Sequence, residues 1–266
     1  MNRGTPAELL DYNRKAWNGL VKNNNRWTRP VSSDVIQRAR RGDWQIVLTP
    51  SKPVPRDWFG DLRDPRILCL ASGGGQQAPT LAATGARVTV LDNSENQLEQ
   101  DRHVAEREKL EMEIVQGDMA NLERFPDSSF DLIIHPCSNT FVPSVIPVWK
   151  EAFRVLKAGG SLLSGFCNPL IFLFDDRLSS KGQLKVRHSI PYSDLHSLSD
   201  GEREKLVNEC EPLCFGHSLE DQIGGQIRAG FVITGFYEDY WEDENEPLDR
   251  HIASFIATRA TKLTEG

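Results

Sequence analysis

Residues 67–75 read ILCLASGGG, an apolar run that leads directly into three glycines. The run predicts a buried strand, and the glycines predict a tight turn after it that leaves the backbone open to a ligand. Alone this signal is weak, because residues 73–78 (GGGQQA) also fit the dinucleotide-binding pattern G-x-G-x-x-A. The residues that follow make it specific.

Two more apolar runs end in acids. Residues 88–94 (VTVLDNS) place Asp92 at the end of a second strand, and residues 114–119 (IVQGDM) place Asp118 after a third. A carboxylate at the first position can accept both hydroxyl hydrogens of a ribose, and one at the second can accept from an adenine amino group. In this order, the three strand ends predict a pocket for a cofactor that carries adenosine.

The same stretch resembles the class I S-adenosylmethionine (SAM) dependent methyltransferases, particularly their small-molecule branch. The similarity is close over residues 66–166 and loose over 218–261, and it includes 116–119 (QGDM), 125–133 (FPDSSFDLI) and 151–160 (EAFRVLKAGG). Two positions depart from the family pattern: the usual acid at the end of the first strand is Cys69, and the usual first glycine is Ala71. The resemblance implies an enzyme of the EC 2.1.1 class that uses SAM and releases S-adenosylhomocysteine.

Strands and helices alternate from 66 to 166, which indicates a parallel sheet covered on both faces. We expect an α/β, Rossmann-like fold: a seven-stranded, mostly parallel sheet with a C-terminal antiparallel hairpin, helices on both faces and an N-terminal helical cap. The predicted strands lie near 66–71, 86–91, 112–115, 130–134, 161–166, 231–237 and 253–260. The last two resemble the hairpin that ends the methyltransferase sheet.

The chain divides into a helical cap or lid at 1–60 and a methyltransferase core at 61–266. Helices are expected near 7–22 and 32–41 in the cap. The core contains an insertion at 167–217, on the substrate side, where one crossover helix would suffice. The acidic stretch 238–246 is interpreted as a solvated connection.

Composition and charge narrow the possible partners. The 266-residue chain has a formal net charge of −7 and a pI near 5.5, so strong attraction to phosphate backbones is not expected. No apolar stretch approaches the ~20 residues that span a bilayer, and the N-terminus lacks the apolar core of a signal peptide. Five cysteines fit reduced thiols, and Cys210, Cys214 and His217 lack a recognised metal-ligand spacing. We expect a cytoplasmic protein that acts on a small-molecule methyl acceptor, without nucleic acid, membrane or metal.

The cofactor-binding prediction follows the strand ends. It comprises Ala71, Ser72, Gly73, Gly75, Asp92, Asn93, Gln97, Gly117, Asp118, Met119 and His135. The loop after the fourth strand, 135–141 (HPCSNTF), should face the transferred methyl group, because ligands bind at the carboxyl ends of such strands. His135 is the candidate general base and Asn139 the candidate for orienting the substrate. The alternatives are a strand cap for His135 and a turn-stabilising role for Asn139.

The substrate-binding prediction uses segments added to the common core. Tyr12, Trp17 and Trp27 would form an aromatic lid, because aromatic rings exclude water and attract the positive sulfonium. The alternative is a hydrophobic cap on the sheet edge. The remaining predicted substrate residues are Asn168, directly after the fifth strand, and His188 and Tyr192 in the insertion.

Two other functions fit part of the sequence. An NAD(P)-dependent Rossmann oxidoreductase would explain the glycines and Asp92, but it explains Asp118 and the C-terminal hairpin less well. A non-catalytic SAM-binding protein would account for Cys69 and Ala71. The leading interpretation is transfer of a methyl group from SAM to oxygen, nitrogen or sulfur of a small molecule.

Overall fold

The computed structural model describes residues 5–60, 64–241 and 246–264, and β-strands form its centre. The strands are β1 (Arg66–Leu70), β2 (Arg87–Asp92), β3 (Met112–Gln116), β4 (Phe130–His135), β5 (Leu156–Cys167), β6 (Tyr192–Ser193), β7 (Phe215–Gly216), β8 (Val232–Asp239) and β9 (Phe255–Thr261). Seven of them form one sheet in the order β3-β2-β1-β4-β5-β9-β8, and β6 pairs with β7 separately. Strands β1 to β5 are parallel, whereas β9 runs antiparallel to both β5 and β8.

Helices surround the large sheet. They are α1 (Pro6–Lys22), α2 (Ser33–Arg40), α3 (Gln77–Ala82), α4 (Glu95–Glu108), α5 (Ile146–Val155), α6 (Asp176–Ser179), α7 (Asp194–Ser197), α8 (Asp200–Asn208) and α9 (Gly225–Ala229), which a π-helical turn at Glu220–Gly224 precedes. The starts of the long helices follow from the sequence. Thr5 and Glu8 form a capping box on α1, and the Ser32 and Ser94 hydroxyls cap α2 and α4.

This architecture confirms the predicted α/β fold with its C-terminal hairpin. The largest differences lie at strand ends. Strand β5 begins at Leu156 and not near 161, because Leu156 already pairs with Phe130, ahead of a register shift in the ladder with β4. Strand β8 continues to Asp239, so the start of the acidic stretch belongs to the sheet and is not a solvated connection. Residues 242–245 of that stretch lie outside the described part of the chain.

The core lies on both faces of the sheet because successive strand residues point to opposite sides. On β1, Ile67 and Cys69 belong to a cluster that includes Leu81 of α3 and Trp58. The alternate residues, Leu68 and Leu70, join a second cluster with α5 through Trp149 and Ala152. All four β1 side chains are fully buried, which fits the unbroken apolar run in the sequence.

Helix α1 lies against the insertion and not against the centre of the sheet. Leu9 packs with Leu213 and Phe215. The Asn13 side chain donates to the carbonyls of Phe141 (2.9 Å) and Leu213 (3.1 Å) and accepts from the Leu213 N–H (2.8 Å). These contacts hold α1 over the carboxyl ends of the parallel strands.

Over the described ranges, none of the helices is both long and apolar enough to cross a membrane.

Candidate active site

A cavity of about 280 Å³ lies at the carboxyl ends of the parallel strands, where the strand order reverses between β1 and β4. Loops after β1 to β4, the end of β5 and the start of β9 form its floor, while α1, Trp27 and residues 47–50 cover it. The sequence-predicted residues that line it are Trp17, Trp27, Ala71, Ser72, Gly73, Asp92, Asn93, Gln97, Gly117, Asp118 and Met119.

Asp92 is fixed by backbone donors at the end of β2. Its Oδ2 atom accepts from the Gly73 N–H and its Oδ1 atom from the Ser94 N–H, both at 2.9 Å. A Cβ atom at Gly73 would lie 3.0 Å from the Asp92 Cγ, so glycine permits this approach of loop and carboxylate. Removal from bulk water raises the pKa of Asp92, although these N–H groups favour its charged form. Each oxygen keeps a lone pair for a ligand.

The third strand end completes this side of the cavity. Asp118 accepts the Ala120 N–H at Oδ1 (2.9 Å), which fixes its side chain in the loop after β3. A Cβ at Gly117 would approach the Leu91 side chain to 3.0 Å, so the loop packs closely against β2. Asn93 donates to the Leu10 carbonyl (2.8 Å) and thus ties this side to α1.

Gln97 presents an acceptor without a partner. Its side chain is only 5% exposed and lines the cavity, and no group in the described part of the chain donates to its Oε1 atom. A buried polar atom of this kind costs free energy unless a ligand satisfies it. The cavity therefore fits a ligand with hydrogen-bond donors next to the glycine loop.

His135 does not reach the cavity. Its ring is fully buried, Nδ1 donates to the Leu70 carbonyl (2.9 Å), and the Trp149 ring lies edge-on at 5.9 Å. Burial lowers the pKa of His135 to about 4, so the imidazole stays neutral. The structure gives no support to the predicted general base or to a cofactor contact by this ring, because the side chain points to the α5 face of the sheet and not beyond its edge.

We expect His135→Gln to leave the turnover number within about threefold of wild type while it lowers the free energy of unfolding by about 1–3 kcal/mol, because a buried carbonyl loses a well-placed donor. Steady-state kinetics and chemical denaturation of the same preparation test this. A selective loss of turnover of ~10² or more with unchanged stability would restore the role of a base.

Other predicted residues also lie outside the cavity. Asn139 is buried and pairs with the Gln222 amide (3.0 Å), which agrees with a structural alternative. Gly75 belongs to the glycine loop but does not line the cavity, and a Cβ there would come within 2.8 Å of the Pro30 Cβ. Asn168 donates to the Ala253 carbonyl (2.9 Å) at the base of the insertion.

The predicted substrate residues of the insertion form a cluster of their own. The Tyr192 hydroxyl donates to Asp194 (2.6 Å), and the His188 ring lies edge-on to the Tyr192 ring at 5.1 Å. Tyr192 lines a separate, open groove. The Tyr12 hydroxyl donates to the Glu211 carbonyl (2.8 Å). The structure does not bring these three side chains to the cavity, because each is held by partners within the insertion.

Several cavity residues were not singled out from the sequence. They are Leu10, Asn13, Val47, Leu48, Thr49, Pro50, Gln76, Gln77, Pro136, Cys137, Ser138, Thr140, Phe141, Val142, Cys167, Trp241 and Phe255. Those at 136–141 belong to the segment predicted as a whole to face the methyl group, and Val142 directly follows it. Residues 47–50 and Trp241 carry no local motif that would have identified them.

Comparisons with known proteins identify the family and the fold. The methyltransferase domain family matches residues 68–164. A relative from Bacillus subtilis (strain 168), the uncharacterized methyltransferase YbaJ, is 54% identical over 255 residues, which are 96% of this chain and 99% of that protein.

Two solved structures share the fold. The SAM-dependent methyltransferase from Mesorhizobium loti superimposes with a TM-score of 0.59 and 19% identity, over 77% of this chain and 94% of that one. The second is the 1,6-didemethyltoxoflavin-N1-methyltransferase of Burkholderia thailandensis, solved with bound 1,6-didemethyltoxoflavin and S-adenosylhomocysteine. It superimposes with a TM-score of 0.59 and 13% identity, over 99% of this chain and 93% of that one.

The chain therefore belongs to the class I SAM-dependent methyltransferases, and its cofactor is SAM. The cavity offers acceptors that suit the hydroxyl and amino groups of this molecule. Asp92 and Asp118 both line the cavity and could accept from the ribose and the adenine amino group, and the open acceptor of Gln97 is available to further donors.

Proposed function

We propose that this enzyme transfers the methyl group of SAM to nitrogen, sulfur or oxygen of a small, mostly apolar molecule that enters the cavity. The observation that carries the proposal is the lining opposite the cofactor acids. It consists mainly of apolar and aromatic side chains: Leu48, Pro50, Phe141, Val142, Trp241 and Phe255. A site of this size and lining suits a compact acceptor and not a polymer.

The sheet order divides the cavity into two ends. Asp92 and Asp118 follow β2 and β3, on one side of β1. Cys137 and Cys167 lie after β4 and at the end of β5, on the other side. With the adenosine at the first end, the acceptor belongs at the second, and the glycine loop lies between them.

The acceptor end favours nitrogen or sulfur over an alcohol. Among the described residues that line the cavity, the side chains that titrate are Asp92, Asp118, Cys137 and Cys167. The two acids belong to the cofactor end. A hydrogen bond with Cys167 and burial both raise the pKa of the Cys137 thiol well above its usual value, so it is not a base at neutral pH. Bound SAM supplies a methyl group on positively charged sulfur, and the protein contributes alignment and exclusion of water.

An aromatic amine, a weakly basic ring nitrogen or a thiolate is nucleophilic at neutral pH without help from a base, whereas an alcohol has to lose a proton. The same substrates suit the aromatic lining, since flat apolar molecules pack well against such rings. The proposed acceptor is therefore a small heteroaromatic or thiol compound.

The N-terminal segment, with 1–60 as its proposed extent, would act as a lid on this site. The Trp17 ring lies edge-on to Phe141 with 5.0 Å between centroids, and Trp27 lies 6.4 Å from Trp241. Both contacts join the segment to loops of the core across the cavity. Such a cover would keep water from the sulfonium during transfer.

We expect SAM and S-adenosylhomocysteine at about a hundred times their dissociation constants to raise the melting temperature by roughly 5–10 °C, because ligands that bind only the native state stabilise it by mass action. NADH and NADPH should leave the melting temperature unchanged. With SAM labelled in the methyl group, label should pass to heteroaromatic nitrogens or thiols faster than to phenols or aliphatic alcohols. Faster transfer to alcohols would contradict the preference for nitrogen or sulfur, and transfer to RNA or protein alone would contradict the small-molecule acceptor.

A further inference from the structure

Asp101 is a buried acid beneath the glycine loop. It lies on α4, its side chain is fully buried, and its Oδ2 atom accepts the Gly74 N–H at 3.0 Å. The same N–H lies 3.1 Å from the Gln97 carbonyl oxygen. No group in the described ranges donates to the other carboxyl oxygen, Oδ1. Asp101 does not line the cavity, so it touches the loop and not the ligand.

The glycine loop has little freedom around this contact. Gly74 and Gly75 have φ values of 113° and 70°, which favour glycine. A Cβ at Gly75 would lie 2.9 Å from the Gln100 carbonyl oxygen, and the Gly75 carbonyl accepts the Val31 N–H (2.9 Å). The loop is thus held between α4 and the N-terminal segment, and a change in the charge of Asp101 acts directly on its backbone.

The charge of Asp101 depends on its surroundings. Burial raises the pKa of Asp101 to about 8, while hydrogen bonds from the Gly75 and Gly74 N–H groups favour the carboxylate. Of the nearby groups, the Asp92 carboxylate raises this pKa and Arg102 lowers it. The neighbouring thiol at Cys69 is neutral, because burial raises its pKa well above the usual value.

We propose that Asp101 is a positioning residue for cofactor binding: its carboxylate form holds the Gly74 N–H, and through it the glycine loop, in the binding geometry, and the positive charge of SAM draws it into that form. SAM binding then releases a proton from Asp101. S-adenosylhomocysteine lacks the sulfonium charge and releases less. This inference rests on SAM as cofactor and is independent of the acceptor.

The direction of the pH dependence follows from linkage. Below pH 8 the free enzyme is mostly protonated at Asp101, and a ligand that prefers the carboxylate must displace that proton. SAM affinity therefore rises with pH, by up to about fiftyfold between pH 6 and pH 8, and levels off above the pKa. The affinity for S-adenosylhomocysteine rises less over the same range.

Isothermal titration calorimetry of the full chain, in two buffers with different ionisation enthalpies, measures both the affinity and the protons released. Asp101→Asn keeps an acceptor for Gly74 but cannot titrate. Glu108→Gln is the matched control, since Glu108 is a largely buried acid of the same helix whose partners are Ser33 and Arg107, away from the loop.

We expect proton release at pH 7 for wild type and Glu108→Gln, and a pH-independent affinity without release for Asp101→Asn. Release that persists in Asp101→Asn would assign the proton to another group, such as Asp92, and overturn the proposal. Two results with the wild-type protein would also overturn the proposal: equal proton release with SAM and S-adenosylhomocysteine, or no proton release with either ligand. These measurements do not require the Asp101→Asn variant to fold.

Discussion

Replacing Asp92 with alanine is expected to weaken SAM binding by on the order of tenfold to a hundredfold. A hydrogen bond to a charged group contributes roughly 1.5–3 kcal/mol, and the ribose would lose such contacts. The variant also leaves the Gly73 and Ser94 N–H groups without the carboxylate that they now share. Calorimetric titration of wild type and Asp92→Ala with SAM measures the difference.

Asp131→Ala provides the control for this experiment. Asp131 lies on β4 and accepts the Arg66 N–H (2.9 Å) and the Lys157 ammonium (2.7 Å), at the opposite end of β1 from the cavity. Its loss should lower the melting temperature and leave SAM affinity unchanged. If a folded Asp92→Ala protein binds SAM as tightly as wild type does, the pocket has been assigned to the wrong strand end.

The sequence predicts which residues meet at the β2 and β3 end of the cavity, because each of these features is local. Asp92 and Asp118 directly follow apolar strands, and parallel strands bring their carboxyl ends to one edge. The apolar run before Gly73 is continuous because β1 is buried on both faces. For these residues the position along the chain is enough to predict the position in space.

Side-chain direction at a strand end is less certain from sequence. His135 is the last residue of β4, and a residue there can point beyond the edge or to either face. In the structure it follows the alternation of the strand and joins Trp149 on the α5 face. A shift of one residue would have reversed this direction, and no nearby signal in the sequence decides the register.

The acceptor end depends on contacts between distant parts of the chain. Trp241 follows β8 within an acidic stretch, yet its ring packs edge-on against Phe255 at 4.6 Å and lines the cavity. Leu48 reaches the same space because its carbonyl accepts the Cys137 N–H (3.1 Å). Neither residue lies in a recognisable motif, so their roles become visible only when the chain is folded.

Ala71 shows how one departure from the family pattern is accommodated. It has a φ of 47°, in the left-handed region where a residue other than glycine costs roughly 1–2 kcal/mol. Its N–H donates to the Leu91 carbonyl (2.7 Å), and its carbonyl accepts the Ser138 hydroxyl (2.5 Å). These two bonds join the loop after β1 to β2 and to the loop after β4, and they maintain the turn without glycine.

Asn13→Ala is expected to lower turnover by ~10²-fold with little change in SAM affinity, because misplacing a site by about 1 Å can have an effect of this size. Asn13 is buried on α1, and its three hydrogen bonds join that helix to Phe141 at the acceptor end and to Leu213 of the insertion. Without them, the proposed lid would no longer be fixed over the reacting atoms. Turnover with the acceptor found in the labelling experiment, together with calorimetric SAM affinity, measures the effect.

Tyr12→Phe is the matched control. Tyr12 precedes Asn13 on the same helix and donates to the insertion at the Glu211 carbonyl, but it lies outside the cavity. Its loss removes one bond between the same two segments, so turnover should stay within a few-fold of wild type. Equal losses in both variants would mean that α1 contributes only general stability. A loss confined to Asn13→Ala would identify the junction of α1 with the loop after β4 as the part of the lid that determines the rate.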